Sequence, residues 1–283
     1  MKRKRITIDL VTYLILAIVA VITIIPILYT VAASFKSNME IMTNPGSIFP
    51  HKPTFDNYKE AWDSEFLDIS RMTVNSLIYT IICMTIHCFI ASTAAYVFAR
   101  SEFKFKKLIF VVFSSLMFIN LGTITVYPLF EILKPLHLNQ SLWGLIVVKC
   151  FGIPIVHIYL IKSYIETISK EIDEAAIIDG CSFIGIFFRI MVPIIKPILA
   201  TVALLAFQGS WNEYLLPAIF TMTEPEQKTL IVGIMALKNA DGAATSWNLM
   251  LAGSAIAIAP VLVAYAVANK YFVAGITAGA VKG

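Results

Sequence analysis

The segment LVTYLILAIVAVITIIPILYTVAA, residues 10–33, decides the class of fold. It holds no charged side chain. A helix needs about 20 mostly apolar residues to cross the core of a bilayer, so this segment is read as a membrane span. The cluster Lys2-Arg3-Lys4-Arg5 before it mimics the start of a secretory signal. The apolar run, however, exceeds the roughly 7–15 residues of a signal's core, and no A-x-A-like site follows convincingly. The expectation is a retained first helix.

Working outward, five further segments qualify: residues 74–99, 108–130, 142–161, 198–220 and 249–268. The third and fourth spans are weaker. The third contains Asn120, Gly122, Thr123, Thr125 and Pro128, and the fourth contains Lys149, Gly152 and Pro154. Such interruptions are tolerated where the polar groups face other helices or a water-filled path. Bulk composition agrees, with 58% hydrophobic and only 14% charged residues among 283. A soluble domain carries about a quarter charged residues, and the mean hydropathy here is +0.80. The expected fold is all-α and polytopic, with about six transmembrane helices.

The loops set the expected orientation. Lysine and arginine concentrate before the first span, in the second loop (Arg100, Lys104, Lys106, Lys107), in the fourth (Lys162, Lys170, Arg189, Lys196) and in the tail (Lys270, Lys282). The alternate loops carry fewer: Lys36, Lys52, Lys59 and Arg71, then Lys134, then Lys228 and Lys238. Basic short loops stay on the cytoplasmic side, so both termini are expected there. Residues 35–73 read as a soluble outer segment, with turns at Asn44-Pro45-Gly46 and Pro50-His51-Lys52-Pro53. A short helix from Tyr58 to Trp62 is expected after Thr54 as its N-cap. The net charge of +4 is scattered between apolar spans, which argues against a nucleic-acid partner.

The loop between the fourth and fifth spans contains Ser169-Lys170-Glu171-Ile172-Asp173-Glu174-Ala175-Ala176-Ile177-Ile178-Asp179-Gly180. Ser169 is a good N-cap, and Glu171 and Asp173 suit the positive end of a helix dipole. Ile172, Ala175, Ala176 and Ile178 can share part of one face, and Gly180 is a natural stop. A second apolar-faced helix follows through Phe183, Ile186, Phe187 and Ile190, expected to stop at Pro193 and Pro197.

Residues 174–180, followed by Phe187, Ile190, Pro193 and Pro197, resemble the EAA loop of bacterial ABC-importer permeases. Other stretches match the same family: Thr54-Phe55-Asp56-Asn57-Tyr58, Asn75-Ser76, Trp211-Asn212-Glu213-Tyr214, and the tail, residues 275–283, which is similar to that of the smaller, maltose-type permease. Cys181 sits where a small residue such as alanine is common, and is itself small.

The resemblance implies a type I ABC-importer permease fold in a single transmembrane domain, residues 1–283, in the bacterial cell membrane. It implies a cytoplasmic coupling loop over residues 163–197, docking on a partner ATPase dimer. Glu174 would be the acidic anchor, Ala175 and Ala176 would allow close approach, and Gly180 would permit the turn out; Asp179 and Pro193 belong to the same motif. It implies a heterodimer with a second permease, an extracytoplasmic solute-binding protein contacted by the loop 221–246, and a sugar as cargo. The tail, residues 273–283, would lie near the ATPase dimer. No cofactor is expected in this chain; ATP and Mg²⁺ would belong to the ATPase.

Several residues admit two readings from sequence alone. Gln208, Trp211, Asn212 and Glu213 lie inside or near the fifth span. An ionised glutamate at membrane depth costs at least a few kcal/mol, so Glu213 is expected to face the bundle interior, a partner or an interface. The group either lines the sugar path or forms a packing or subunit contact. Lys149 either snorkels or lines the path. Cys83 and His87 stand four apart, but no third ligand completes a metal site, and packing is the simpler reading. His157 is read as a hydrogen-bonded packing histidine over a proton relay. Cys83, Cys88, Cys150 and Cys181 form no C-x-x-C pair and read as small apolar thiols. The loop 221–246 has turn signals at Glu224-Pro225-Glu226 and Asn239-Ala240-Asp241-Gly242. No G-x-x-x-x-G-K-[ST], H-E-x-x-H or G-x-S-x-G motif occurs, so no enzymatic activity is expected of the chain itself. A secondary carrier would favour internal repeats, and a membrane enzyme would need paired acids or histidines; neither pattern is persuasive here.

Overall fold

The computed structural model describes residues 2–63, 68–119, 122–237 and 246–280. The described residues are mostly helical and contain no strand. In chain order the helices are α1 (Lys2–Ala33), α2 (Asn38–Thr43), α3 (Asp56–Asp63), α4 (Ile69–Arg100), α5 (Lys106–Ser115), α6 (Val126–Leu133), α7 (Leu142–Phe151) and α8 (Ile155–Ile165). They continue as α9 (Glu171–Ile178), α10 (Phe183–Ile186), α11 (Val192–Ile194), α12 (Lys196–Trp211), α13 (Leu215–Phe220), α14 (Leu230–Ala236) and α15 (Trp247–Ala280).

Among the described residues, three stretches are long and apolar enough to cross a membrane as single helices: Asp9–Ala33, Ile69–Arg100 and Trp247–Asn269. They correspond to the first, second and sixth predicted spans. The fourth predicted span is α7 and α8, bent by 42° where Gly152 and Pro154 interrupt it. The fifth is α12 followed by α13, broken at residues 212–214. The third is α5, a tight turn at Leu116–Phe118, a second tight turn at Gly122–Thr125, and α6; Asn120 of that prediction lies outside the described residues. In α1, Leu10, Ile15, Ile22 and Leu28 are all exposed. Water-soluble monomers rarely leave a continuous apolar surface of that extent uncovered.

The chain divides into two compact units, Met1–Arg71 with Leu230–Ala259, and Met72–Thr229 with Pro260–Gly283. In the first, residues 34–58, from the predicted outer segment and its edge, pack on the end of α1. Asn57 is buried and uses its whole amide: Nδ2 donates to Ser34 O at 2.7 Å and Lys36 O at 2.8 Å, while Oδ1 accepts from Asn248 at 3.0 Å. Lys36 is fully buried and donates to Ser47 O. Asn38 accepts the N–H of Trp247 at 3.1 Å, tying α2 to the start of α15. The predicted short helix begins earlier than expected, at Asp56, and Thr54 Oγ1 accepts the Asp56 N–H at 3.1 Å.

The second unit carries two apolar cores. One gathers Tyr79 and Cys83 of α4, Leu133 of α6, Leu142, Leu145 and Ile146 of α7, and Phe220 of α13. The other gathers Ala91, Ala95 and Tyr96 of α4 with Ile158, Ile161 and Ile165 of α8, Ala176 of α9, the α10–α11 region and Val202 of α12. Gly144 of α7 is there for space, since a Cβ would stand 2.0 Å from Leu138 O. The helix after α9 runs through Pro193 and ends at Ile194, between the two prolines expected to stop it. Phe187–Met191 form a π turn in which the Val192 N–H reaches back to Phe187 O. That wider turn relieves the clash between a proline ring and the carbonyl four residues earlier. The chain turns at Ile195, by 81°, and Pro197 opens α12.

Candidate functional site

The predicted loop helix forms as α9. It starts at Glu171, with Lys170 rather than Ser169 at the cap position, and Ser169 Oγ accepts the Glu171 N–H at 3.3 Å. Its end follows the expected glycine geometry. Gly180 has φ +80, the left-handed region that costs a side-chain-bearing residue energy. The Gly180 N–H bonds Ile177 O at 3.0 Å and the Cys181 N–H bonds Ala176 O at 2.9 Å, the paired bonds of a Schellman stop.

The face assignment differs from the sequence expectation. Asp173 and Ala176 are buried, while Ile172, Ala175, Ile177 and Ile178 are exposed, Ile178 at 86%. An acid points inward because the protein supplies a buried counter-charge. Arg100, at the end of α4, places Nε 2.8 Å from Asp173 Oδ2. Its Nη2 also donates to Ile168 O at 2.9 Å, ahead of α9. Tyr96 stands with its hydroxyl 3.5 Å from Asp173 Oδ1, and its ring packs on Phe183 and Phe187 at 4.6 and 5.2 Å. The uncovered surface therefore combines carboxylates at the helix N-terminal turn, Glu171 and Glu174, with three exposed isoleucines. Glu174, Ala175, Asp179 and Gly180 lie on this exposed side, and Pro193 is exposed further along. Ala176 packs inward, so the close approach it allows is to this chain's own core.

The second predicted group separates into different roles. Trp211 is buried and stacks on Phe207, ring centroids 5.8 Å apart. Gln208 and Asn212 are exposed. Glu213 faces the interior: Oε1 accepts from Lys149 Nζ at 3.1 Å and Oε2 from the Tyr79 hydroxyl at 2.6 Å. Lys149 thus neither snorkels free nor stands alone. The rings of His87 and His157 lie 6.1 Å apart, and the described residues contain no group of three metal-ligating side chains. Sequence reasoning missed Arg100, Asp173 and Tyr79 as partners. The one signal present was a lone charge within or beside each apolar stretch, each in need of an opposite.

In the loop after α13, Asn75 Nδ2 holds Glu226 O at 2.8 Å and Lys228 O at 3.0 Å. Gln227 Oε1 accepts from Ser141 Oγ and the Leu142 N–H at 3.0 and 2.9 Å. The predicted turn at residues 239–242 lies outside the described residues, as do the side chains of α15 from Lys270 onward and residues 281–283 of the tail.

Long apolar helices, broken helices tied by a shielded ion pair and a short exposed loop helix are the features of a helical membrane protein. Residues 78–277 match the family described as binding-protein-dependent transport system inner membrane component. The chain is similar to the probable ABC transporter permease protein YurM of Bacillus subtilis (strain 168), at 36% identity over 91% of this chain and 83% of that protein. It is equally similar, at 36% identity over 100% of this chain and 99% of the relative, to the galactooligosaccharides transport system permease protein GanQ of the same strain. Its fold matches a chain from the crystal structure of a bacterial ABC transporter involved in the import of the acidic polysaccharide alginate. That match has a TM-score of 0.79 and 23% identity, over 95% of this chain and 98% of the other. The chain belongs to the family of binding-protein-dependent transport system inner membrane components, and within that family it is a permease.

Proposed function

We propose that this chain is one of two permease subunits of an ATP-driven sugar importer, and that α9 couples it to a cytoplasmic ATPase dimer. The observation that carries this reading is the division of α9 into two faces. Its inner face is tied to α4 through Asp173 and Arg100. Its outer face offers Glu174, Ala175, Ile177 and Ile178, uncovered by this chain. An acidic and apolar surface on a short helix suits a groove with a basic rim, and the tie to α4 gives a push on α9 a route into the bundle.

In this reading the chain crosses a bacterial cell membrane six times with both termini inside, which the alternation of basic loops supports. ATP and Mg²⁺ are bound by the partner ATPase, and this chain catalyses no reaction. The loop 221–246 faces an extracytoplasmic binding protein, and the tail 273–283 lies near the ATPase. Gln208 and Asn212 are the candidates for the cargo path. The cargo is a sugar, an oligosaccharide by analogy with the galactooligosaccharides named for one relative.

The test is association and uptake in the natural host. Glu174→Lys is expected to abolish recovery of the ATPase with the permease, while the chain still reaches the membrane. A cysteine placed at Ile178 is expected to crosslink to the ATPase. Normal ATPase recovery by Glu174→Lys together with no crosslink from position 178 overturns the coupling role. Transport by the purified chain alone would point to a secondary carrier.

A further inference from the structure

In the second unit, the boundary between the two apolar cores falls at two helix breaks. α7 contributes to one core and α8 to the other, and the chain passes between them through Gly152-Ile153-Pro154. α12 and α13 divide in the same way, through Asn212-Glu213-Tyr214. Among the described residues of these cores, α4 runs unbroken through both, giving Tyr79 to one and Tyr96 to the other.

Broken backbone at membrane depth must find its hydrogen bonds within the protein. Each break partly closes itself: Gly152 N–H bonds Lys149 O at 3.2 Å, Asn212 N–H bonds Gln208 O at 3.1 Å, and Glu213 N–H bonds Ser210 O at 3.3 Å. None of these bonds ties one break to the other. Side chains do that. Lys149 lies in the last turn of α7, Glu213 lies in the α12–α13 break, and they meet at 3.1 Å. The second carboxylate oxygen is held by Tyr79 from the unbroken helix at 2.6 Å. Both charges are largely shielded, with side chains 23% and 18% exposed. Packed apolar residues of similar volume often stabilise such a place as well as an ion pair does, whereas an ion pair fixes which elements meet. Ionisable groups at this depth are functional until shown otherwise.

We propose that Lys149 and Tyr79 are positioning residues of the transport step: by fixing Glu213 they pin the two helix breaks to each other and to α4. The two cores then pivot about a single joint when the permease changes state. The proposal rests on the permease role and is independent of the coupling role assigned to α9.

The test uses the assembled importer isolated from its host, with ATP hydrolysis per assembled complex as the readout. Lys149→Met is expected to lower kcat about tenfold, equivalent to one decade in the barrier, with KM for ATP unchanged. Tyr79→Phe removes one hydrogen bond and is expected to lower kcat about threefold. Lys149→Arg keeps the charge and is expected to retain most of the turnover. Lys149→Glu alone is expected to be nearly inactive, and Lys149→Glu with Glu213→Lys to recover to within about threefold of the parent. Should Lys149→Met fail to insert, Tyr79→Phe and the charge exchange decide the matter. Unchanged kcat in both Lys149→Met and Tyr79→Phe, or an exchange no better than Lys149→Glu alone, overturns the proposal. Slow turnover in a fully assembled complex separates this joint from the coupling role, whose failure shows as loss of assembly.

Discussion

Two shielded ion pairs hang from the same helix, and they are built differently. Near the end of α4, Arg100 meets Asp173 at 2.8 Å, with side chains only 6% and 13% exposed. Yet the contact is poorly directed: Arg100 Nε and Asp173 Oδ2 are close without being aligned as a hydrogen bond, and Tyr96 stands at the outer limit of bonding distance. At the helix breaks, Glu213 has both oxygens in directed hydrogen bonds, from Lys149 and from Tyr79. Coulomb attraction depends on distance far more than on angle, whereas a hydrogen bond weakens steeply as its angle closes. The first pair therefore holds α9 to α4 by proximity, without directed geometry. The second is a joint with a defined geometry.

The comparison breaks most visibly at Arg100. Arg100→Met leaves Asp173 buried without its counter-charge, and losing one partner of a buried pair costs about 3–5 kcal/mol. A large fall in thermal stability of the detergent-solubilised protein is expected. Arg100→Met with Asp173→Leu is expected to recover most of that loss, since neither charge then remains. A stable single variant would show that the tether carries no energy.

Gly180 sharpens the comparison next, because it ends the tethered helix. Gly180→Val is expected to cost about 1–3 kcal/mol through backbone strain at positive φ. Gly180→Asn is expected to cost much less, since asparagine visits that region readily. A Cβ at Gly180 meets nothing within 4 Å in this chain. If Gly180→Asn inserts and folds normally but loses ATPase recovery, the requirement for glycine comes from the docking partner and not from the turn.

Smaller effects are expected away from these two pairs. Glu40 accepts the His51 N–H at 2.8 Å, which holds its carboxyl below the usual value of 4.5. A carboxylate with a depressed folded value contributes fully above its unfolded value and loses that contribution as pH falls through the folded one. Protection of the His51 amide, its exchange rate relative to the intrinsic rate at the same pH, is expected to be high at neutral pH and to fall on acidification below 4.5. The smallest effect is expected at Glu102, 83% exposed and 3.2 Å from Lys106. Glu102→Ala is expected to leave thermal stability unchanged within error, because exposed pairs contribute little.

How much of this was legible depended on whether the cause was local. The unbroken spans at α1, α4 and α15 follow from continuous apolar runs, which need no partner to declare themselves. The stop of α9 at Gly180 was legible because a left-handed turn is a property of one residue. The bend between α7 and α8 was marked by Gly152 and Pro154. The end of the helix after α9 was marked by Pro193 and Pro197, whereas the π turn at Phe187–Met191, which depends on packing around Phe187 and Met191, was not legible. Which face of α9 turns inward was not legible either. Helical spacing grouped its apolar residues, but Arg100 made burial of Asp173 favourable and left Ile177 and Ile178 outside.

The sequence by itself determined which segments are apolar and long enough to cross a membrane, where its loop helix ends, and which family it belongs to. These rest on hydrophobic run length, single-residue backbone preference and motif spacing, all readable along one dimension. Only the tertiary structure decided which charge answers which. Lys149 and Glu213 are 64 residues apart, and Tyr96 and Asp173 are 77 apart. A charge in an apolar segment announces that it needs a partner, but the identity of that partner is set by how the helices pack, because electrostatic compensation acts through space and not along the chain.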